Sequence, residues 1–278
     1  MRFTKMQGCG NDYIYVNCFE ESVSSPGQLA RQISDRHFGI GSDGLVLICP
    51  SGTADCRMRM FNSDGSESEM CGNAIRCVAK YVYDRNIIRK RRLSVETLAG
   101  IKYITINTDE NDIARTMTVD MGAPITEAAE IPVIAEHSPV TDLTLSAYGR
   151  EFTFTCVSMG NPHAVTFIDD DVDGFDVERY GKIFEVDEHF PHRSNIEFAE
   201  VLSPAHLKMR VWERGAGETL ACGTGTCAAV AAACLNGICP RGPVTVNLLG
   251  GQLTIEWNEK DGHIYMTGPA EFVFDGEI

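Results

Sequence analysis

Residues 58–73 read MRMFNSDGSESEMCGN, and residues 209–224 read MRVWERGAGETLACGT. The two stretches align without a gap and share a Met-Arg start, a central Glu and a Cys-Gly near the end. The identical pairs are Met58 and Met209, Arg59 and Arg210, Glu67 and Glu218, Cys71 and Cys222, and Gly72 and Gly223. Self-similarity of this kind indicates duplication, so the chain is predicted to contain two similar halves.

Two weaker similarities occur in the same order. GNDY at residues 10–13 resembles GNPH at residues 160–163, and Ser42-Asp43 resembles Ser194-Asn195. A chain of 278 residues is long enough for two domains. The spacing predicts a domain boundary near Asp120–Pro124.

In each half, short β-rich runs precede the Cys-Gly pair, a helical run follows it, and strands then return. Helices are predicted at Asn73–Arg85 and at Thr224–Asn236, the second almost wholly apolar and closed by Gly237. Strands are predicted at Asp12–Asn17, Gly44–Ile48, Cys56–Phe61, Leu93–Thr97, Lys102–Asn107, Thr116–Met121, Val244–Asn247, Gln252–Trp257 and His263–Thr267. This pattern predicts an α+β fold in which a strongly bent sheet surrounds one helix in each half.

Composition excludes several classes of function. Lys and Arg total 24 and Asp and Glu total 39, for a net charge of −15, which argues against nucleic-acid binding and against docking on anionic lipid. The charge-free stretch Leu220–Pro240 is expected to be a buried helix rather than a membrane span. Eleven cysteines without an apolar leader after Met1 favour free thiols in a reducing, cytoplasmic compartment.

Familiar metal and nucleotide motifs are missing. The sequence has no C-x-x-C, no H-E-x-x-H and no phosphate-binding loop motif, so neither a metal nor a nucleotide cofactor is expected. Apart from Cys71 and Cys222, the cysteines have no partner in the repeat and are expected mainly to fill the core.

Cys71 and Cys222 are the candidates for chemistry, because each precedes a glycine at the start of a helix. Unpaired N–H groups at a helix N-terminus favour negative charge, which predicts that these thiols are shifted toward thiolate. Two sulfurs on opposite faces of one carbon would suit removal of a proton on one side and delivery on the other.

The same helix starts are predicted to hold a carboxylate. The backbone N–H groups of Gly72, Asn73, Gly223 and Thr224 would form the cradle, and glycine allows the anion to approach the backbone closely. Four asparagines in the repeated blocks are further candidates for substrate contact: Asn11, Asn62, Asn161 and Asn195. Glu213 and Arg214 are candidates for the ammonium and carboxylate groups of an amino acid.

With these motifs the chain resembles the diaminopimelate epimerase family, cofactor-independent epimerases of lysine biosynthesis in bacteria and plants. The matching blocks are GNDY at 10–13, GIGSDG at 39–44, FNSDGSESEMCGNAIRC at 61–77, GNPHA at 160–164, RSNIEF at 193–198 and ERGAGETLACGTGTCA at 213–228. The resemblance implies two pseudo-symmetric domains, each a bent, mostly antiparallel, barrel-like sheet around a central helix. Residues 1–120 with 266–278 would form one domain and residues 121–265 the other, and a homodimer is usual in the family.

The resemblance also implies roles for the residues above. Cys71 and Cys222 would interconvert L,L- and meso-diaminopimelate without a cofactor, in lysine and peptidoglycan precursor biosynthesis. The reacting carboxylate would be held by Gly72, Asn73, Gly223 and Thr224. The rest of the substrate would be held by Asn11, Asn62, Asn161, Asn195, Glu213 and Arg214. His163 and Glu213 would tune the two thiols. Some family members have a glutamine that contacts substrate where this chain has Gly44, so that contact is not expected here.

Three alternatives remain open from the sequence. The chain could be a related racemase for another amino acid, or an amino-acid-binding protein without catalysis. A thiol-redox or metal-binding protein could also use many cysteines, although the lack of C-x-x-C argues against it.

Overall fold

A computed structural model describes all 278 residues. They divide into two compact units, the first formed by Met1–Asp120 with Thr267–Ile278 and the second by Met121–Met266. The strands are β1 Arg2–Gly8, β2 Asn11–Asn17, β3 Gly44–Cys49, β4 Cys56–Asn62, β5 Glu67–Ser68, β6 Arg92–Thr97, β7 Gly100–Thr108, β8 Ala114–Gly122, β9 Leu143–Ala147, β10 Arg150–Ser158, β11 Pro162–Phe167, β12 Asn195–Ser203, β13 His206–Glu213, β14 Gly217–Glu218, β15 Pro243–Leu248, β16 Gly251–Trp257, β17 Ile264–Pro269 and β18 Glu271–Glu277. The helices are α1 Pro26–Ser34, α2 Gly72–Asp84, α3 Val177–Phe184 and α4 Gly223–Leu235, with a single 3₁₀ turn at Val172–Gly174.

In the first unit the sheet is mostly antiparallel, as predicted, and contains two parallel pairs. The strands β18, β1 and β2 pair antiparallel, β2 pairs parallel with β3, and β3 pairs antiparallel with β4. The strand β4 then pairs parallel with β6, and β6, β7 and β8 continue antiparallel. The helix α2 packs against β1, β2 and β7.

The second unit repeats this order of pairing. Its ladder runs antiparallel from β10 to β11, parallel to β12, antiparallel to β13 and parallel to β15, and β15 pairs antiparallel with β16. The helix α4 packs against β10, β11, β12 and β16. The two units share the order of parallel and antiparallel pairs, and in each a helix follows a two-residue strand, β5 in the first unit and β14 in the second. This is the architecture that a duplicated sequence predicts. The predicted α+β fold class is confirmed.

Both predicted central helices form within one residue of their expected bounds. The helix α4 carries no charged residue, and most of its residues are buried, as expected for a helix inside its sheet. Gly237 follows it with φ +69, the left-handed backbone at which glycine ends helices. None of the helices is both long and apolar enough to cross a bilayer.

The helix α2 is buried on more than its apolar face. Ile75, Val78 and Val82 recur at helical spacing, which predicts one apolar face, and they lie in the core, but Arg76 and Lys80 are also buried. Buried cations need partners, and the side chain of Arg76 donates to the backbone oxygens of Gly72 and Pro269. An amphipathic pattern therefore underestimated how completely the sheet encloses this helix.

Close packing of α3 on β13 generates a stability prediction. A Cβ on Gly181 would lie 2.4 Å from Cγ and 2.5 Å from Cβ of Trp212, atoms close to the backbone that cannot rotate away. Gly181→Ala is expected to destabilise the second unit by about 1–3 kcal/mol, as overpacking in a filled core does. Gly174→Ala is the matched control, because no atom lies within 4 Å of its Cβ position. Thermal unfolding monitored by circular dichroism measures both, and equal midpoints would contradict the packing argument.

Candidate functional site

In the first unit Cys71 lies directly before α2, in the N-cap position with extended backbone at φ −135 and ψ 123. Its Sγ donates to Oδ1 of Asn11 at 3.4 Å. The amide of Asn11 is itself fixed, because its Nδ2 donates to Asp43 at 2.7 Å. The structure thus brings together two predicted residues, Cys71 and Asn11, and adds Asp43, which the sequence analysis missed.

The predicted carboxylate cradle at Gly72 and Asn73 forms the first turn of α2. The side chain of Asn73 is buried, and its Oδ1 accepts from Nη2 of Arg76 at 3.0 Å. The side chain is therefore used inside the unit, and a ligand contact by Asn73 would have to come from its backbone.

Asn62 and Gly44 lie opposite each other on β4 and β3. Nδ2 of Asn62 donates to Oγ of Ser66 at 3.0 Å. A Cβ on Gly44 would lie 2.1 Å from the backbone oxygen of Phe61 and 2.9 Å from Tyr13. In this backbone a glutamine at position 44 would overlap Phe61 and Tyr13, so the structure leaves no room there for a larger side chain.

In the second unit Cys222 occupies the matching N-cap position before α4, at φ −113 and ψ 111. Its Sγ accepts the N–H of Gly225 at 3.4 Å and lies 3.5 Å from the hydroxyl of Thr224. The residue is buried, with 6% of its surface exposed. Both duplicated cysteines therefore end an extended segment at the first turn of a buried helix.

The protonation of Cys222 differs from what the helix start alone predicts. Burial raises the pKa of its thiol well above the usual value, and the nearby carboxylates of Glu213 and Glu197 raise that pKa further. The contacts with Thr224 and the N–H of Gly225 lower the pKa, but by less. The prediction that the helix end shifts this thiol toward thiolate is wrong for Cys222, because desolvation and two acidic neighbours outweigh the helix.

Glu213 lies at the end of β13 beside this thiol. Its side chain accepts from the hydroxyl of Thr219 and contacts Cys222. Burial raises the pKa of the Glu213 carboxyl, while Thr219 and the positive potential of His163 lower it. The predicted pairing of Glu213 with a thiol is thus present in the geometry.

His163 is fully buried on β11 and contacts an unpredicted residue. Its Nδ1 lies 2.7 Å from Oε1 of Glu197 on β12, and its Nε2 lies 3.1 Å from Oδ1 of Asn161. Glu197 is also fully buried. The sequence carries a signal for it, since Glu197 lies between the apolar residues Ile196 and Phe198 in the buried part of the strand.

Asn195 and Arg214 meet at the ends of the same strands. Nδ2 of Asn195 donates to the backbone oxygen of Pro162 at 2.7 Å, and its Oδ1 accepts the backbone N–H of Arg214 at 2.9 Å. The guanidinium of Arg214 donates to the backbone oxygen of His192. In the structure Asn195 holds the loop that carries Arg214, so its amide is already engaged at both ends.

A second pair of thiols lies in the first unit. Cys18 follows β2 and Cys49 ends β3, and the ladder continues through the backbone bond from Cys18 N to Ile48 O at 2.8 Å. A hydrogen bond from Cys18 and the guanidinium groups of Arg59 and Arg57 lower the pKa of Cys49 to about 7. These two half-buried thiols contact each other, an arrangement that the expectation of simple core filling did not include.

Other parts of the surface do not coincide with the predicted residues. A cleft of about 590 Å³ in the first unit is lined by Arg2, Asn17, Tyr81 and Asp275 among others, and by none of the predicted site residues. No group of three or more His, Cys, Asp or Glu side chains is arranged to hold a metal ion.

Comparison with solved structures defines the fold class. A PhzF-family phenazine biosynthesis protein from Bacillus anthracis superposes with a TM-score of 0.73 at 19% identity, covering 100% of this chain and 98% of that one. A hydroxyproline epimerase from Agrobacterium vitis superposes with a TM-score of 0.68 at 13% identity, covering 100% and 90%. The fold is therefore the two-unit α+β fold shared by these proteins.

Sequence comparison is more specific. The family model described as diaminopimelate epimerase matches residues 3–127 and 155–273. A diaminopimelate epimerase from Methanococcus maripaludis is 58% identical over 278 residues, covering 100% of this chain and 99% of the relative. One from Acetivibrio thermocellus is also 58% identical, covering 100% and 98%. The chain belongs to the diaminopimelate epimerase family, as the sequence motifs indicated.

The carboxylate beside Cys222 generates a prediction about thiol reactivity. A thiol whose pKa is raised stays protonated until the pH approaches that pKa, so alkylation of Cys222 is slow near neutral pH and accelerates as pH rises. Glu213→Gln removes a negative charge, lowers the Cys222 pKa and is expected to speed alkylation at about pH 8, by about tenfold for each unit of change. Iodoacetamide labelling with peptide mapping measures the rate.

The control for this experiment is Glu200→Gln, the same chemical change on β12. Glu200 accepts the backbone N–H of Val172 and is not among the groups that raise the Cys222 pKa. Unchanged labelling is expected for the control. A Glu213→Gln protein labelled at Cys222 no faster than its parent would contradict the electrostatic explanation.

Proposed function

We propose that this protein is a cofactor-independent epimerase that interconverts L,L- and meso-diaminopimelate, with Cys71 and Cys222 as its acid/base pair. The observation that carries the proposal is the equivalence of the two cysteines. Each lies in the N-cap position of a buried 13-residue helix, at the same place in a repeated block. Membership of the family and full-length similarity to diaminopimelate epimerases support the choice of substrate.

The reaction proceeds by one proton leaving and one arriving. A cysteine thiolate removes the proton from the α-carbon, which leaves a carbanion, and the thiol of the other cysteine delivers its proton to the opposite face. Each sulfur ends the turnover in the protonation state that the other began with. The thiols must share one proton, so their titrations are coupled. The raised Cys222 pKa favours Cys222 as the acid at the start of a turnover.

Stabilisation of the carbanion must come from the protein. The N–H groups at the first turns of α2 and α4, at Gly72 and Asn73 and at Gly223 and Thr224, would bind the carboxylate on the reacting carbon. The rest of the substrate would be held by side chains or loops at six positions: Asn11, Asn62, Asn161, Asn195, Glu213 and Arg214. His163 and Glu213 would tune the protonation of the two thiols. A place in lysine biosynthesis, a cytoplasmic location and a homodimer follow from the same family relationship and belong to the proposal.

Chiral chromatography of L,L-diaminopimelate incubated with the reduced protein tests the proposal. We expect meso-diaminopimelate to form. In D₂O, deuterium is expected in the newly formed isomer before it appears in recovered substrate, because separate acid and base groups act on the two faces. Equal early labelling of both isomers would mean that a single exchangeable base both removes and returns the α-proton.

Variants separate this function from its alternatives. Cys71→Ala and Cys222→Ala are each expected to lower the rate of epimerisation by about 10³-fold or more, since each removes an acid/base group. Cys234→Ala, at the far end of α4, is the control and should retain the parent rate. Unchanged stereochemistry in the presence of tight binding would identify a binding protein, and turnover only of another amino acid would identify a related racemase.

A further inference from the structure

Glu197 is a carboxylate in a place where a sheet normally carries an apolar residue. It lies in the middle strand of three, opposite Val165 on β11 and Val211 on β13, and none of its surface is exposed. Its strand neighbours Ile196 and Phe198 belong to the aromatic core of the second unit. Burying a carboxylate costs several kcal/mol unless it is paired, so its presence calls for a function.

One of the two carboxylate oxygens has a partner and the other has none. Oε1 lies 2.7 Å from Nδ1 of His163, whose surface is also fully buried. Oε2 is buried without any hydrogen-bond partner. A half-satisfied buried carboxylate is poor for stability, which indicates that the contact with His163 is the reason for keeping it.

The oxygen atoms around His163 limit where its ring protons can lie. Both ring nitrogens face oxygen acceptors, Oε1 of Glu197 at Nδ1 and Oδ1 of Asn161 at Nε2. A neutral imidazole has one donor and one acceptor nitrogen, so it cannot donate to both. One extra proton must therefore lie in the pair. As a chemical class, imidazole is a stronger base than a carboxylate, which favours the ring as the site of that proton.

We propose that Glu197 is a positioning residue: it holds His163 with both ring nitrogens protonated, so that a positive charge faces Glu213 beside Cys222. The inference rests on the proposed function for its effect on turnover. The charged and titratable groups around Glu213 are His163 from β11, Glu197 from β12 and Cys222 before α4, with the Thr219 hydroxyl as a further partner.

The consequence for Glu213 follows from the sign of the charge. Positive charge at His163 lowers the pKa of the Glu213 carboxyl, which burial raises. The imidazolium thus favours the ionised form of Glu213, which accepts a hydrogen bond from the Cys222 thiol, against the burial that disfavours it. Without Glu197 the ring is expected to lose its second proton. Glu213 then loses the positive charge of His163, which lowers its pKa, and also the smaller contribution of Glu197, which raises it. Because the contribution of His163 is the larger, the pKa of Glu213 is expected to rise.

Space for this arrangement is provided by Gly225. A Cβ at that position would lie 2.6 Å from Oε1 of Glu197 and 3.3 Å from Sγ of Cys222. The carboxylate oxygen and the sulfur therefore approach the same point on the helix, and only a residue without a side chain leaves room for both.

The first test uses the parent protein without substrate. In ¹⁵N-histidine-labelled protein, the His163 ring is expected to show two protonated nitrogens at neutral pH, and Glu197→Gln is expected to show a neutral ring. A neutral His163 ring in the parent would overturn the inference, as would a ring that stays doubly protonated in Glu197→Gln. Because this measurement needs no turnover, its result does not depend on whether the protein is an epimerase.

The second test is the pH profile of epimerisation. Glu197→Gln is expected to move the acid limb of kcat/KM to higher pH by less than about one unit, because loss of the positive charge facing Glu213 is partly offset by loss of the negative charge of Glu197. Glu197→Asp keeps the charge on a side chain that is one methylene shorter. Its acid limb is expected at a pH between those of Glu197→Gln and the parent. Glu200→Gln on the same strand should match the parent in both tests.

An acid limb that stays at the parent pH in Glu197→Gln would overturn the link to Glu213. A parent with a doubly protonated His163 ring but no epimerase activity would instead defeat the proposed function and leave the Glu197–His163 pair as described. The two failures are therefore distinguishable.

Discussion

The start of each central helix is the constraint on which the site depends. A cysteine in extended conformation is followed at once by glycine and then by a helix that its sheet surrounds. Because the helix is buried, its first turn cannot fray or shift without disturbing the core. The sulfur and the unpaired N–H groups of that turn are therefore held in one geometry, which is what acid/base chemistry at a carbon requires.

The surroundings of the two helix starts are unlike, although the backbone is repeated. Cys71 is half-buried and donates to the amide of Asn11, a neutral partner. Cys222 is buried among the carboxylates of Glu213 and Glu197. A duplicated backbone thus places its two thiols in different surroundings, and the difference comes from side chains on the neighbouring strands rather than from the helices.

The sequence was informative where the signal is local or repeated. The Cys-Gly pair, the charge-free run after Cys222 and the glycine at position 237 predict α4 almost to the residue, because capping and hydropathy act over a few neighbouring positions. The repeat likewise predicts that Cys71 and Cys222 are equivalent. The carboxylate at position 197 was not predicted as a functional residue, since its effect depends on β11 bringing His163 beside it. The burial of Arg76 was missed for the same reason: it is set by how completely strands distant in sequence cover the helix.

Which strands pair in parallel was also not predicted, because strand signals in a sequence do not specify partners. Both units use the same order of parallel and antiparallel ladders, and strands of one half resemble strands of the other in length. While such a chain folds, a strand of one half could pair with strands of the other half. The cores differ, however: the second unit is built on clustered phenylalanines such as Phe152, Phe154 and Phe184, and the first on smaller aliphatic residues such as Ile14, Val16 and Leu45. A strand exchanged between the halves would pack against side chains whose volumes do not match its own. The difference between the two cores therefore disfavours misassembly of the duplicated fold.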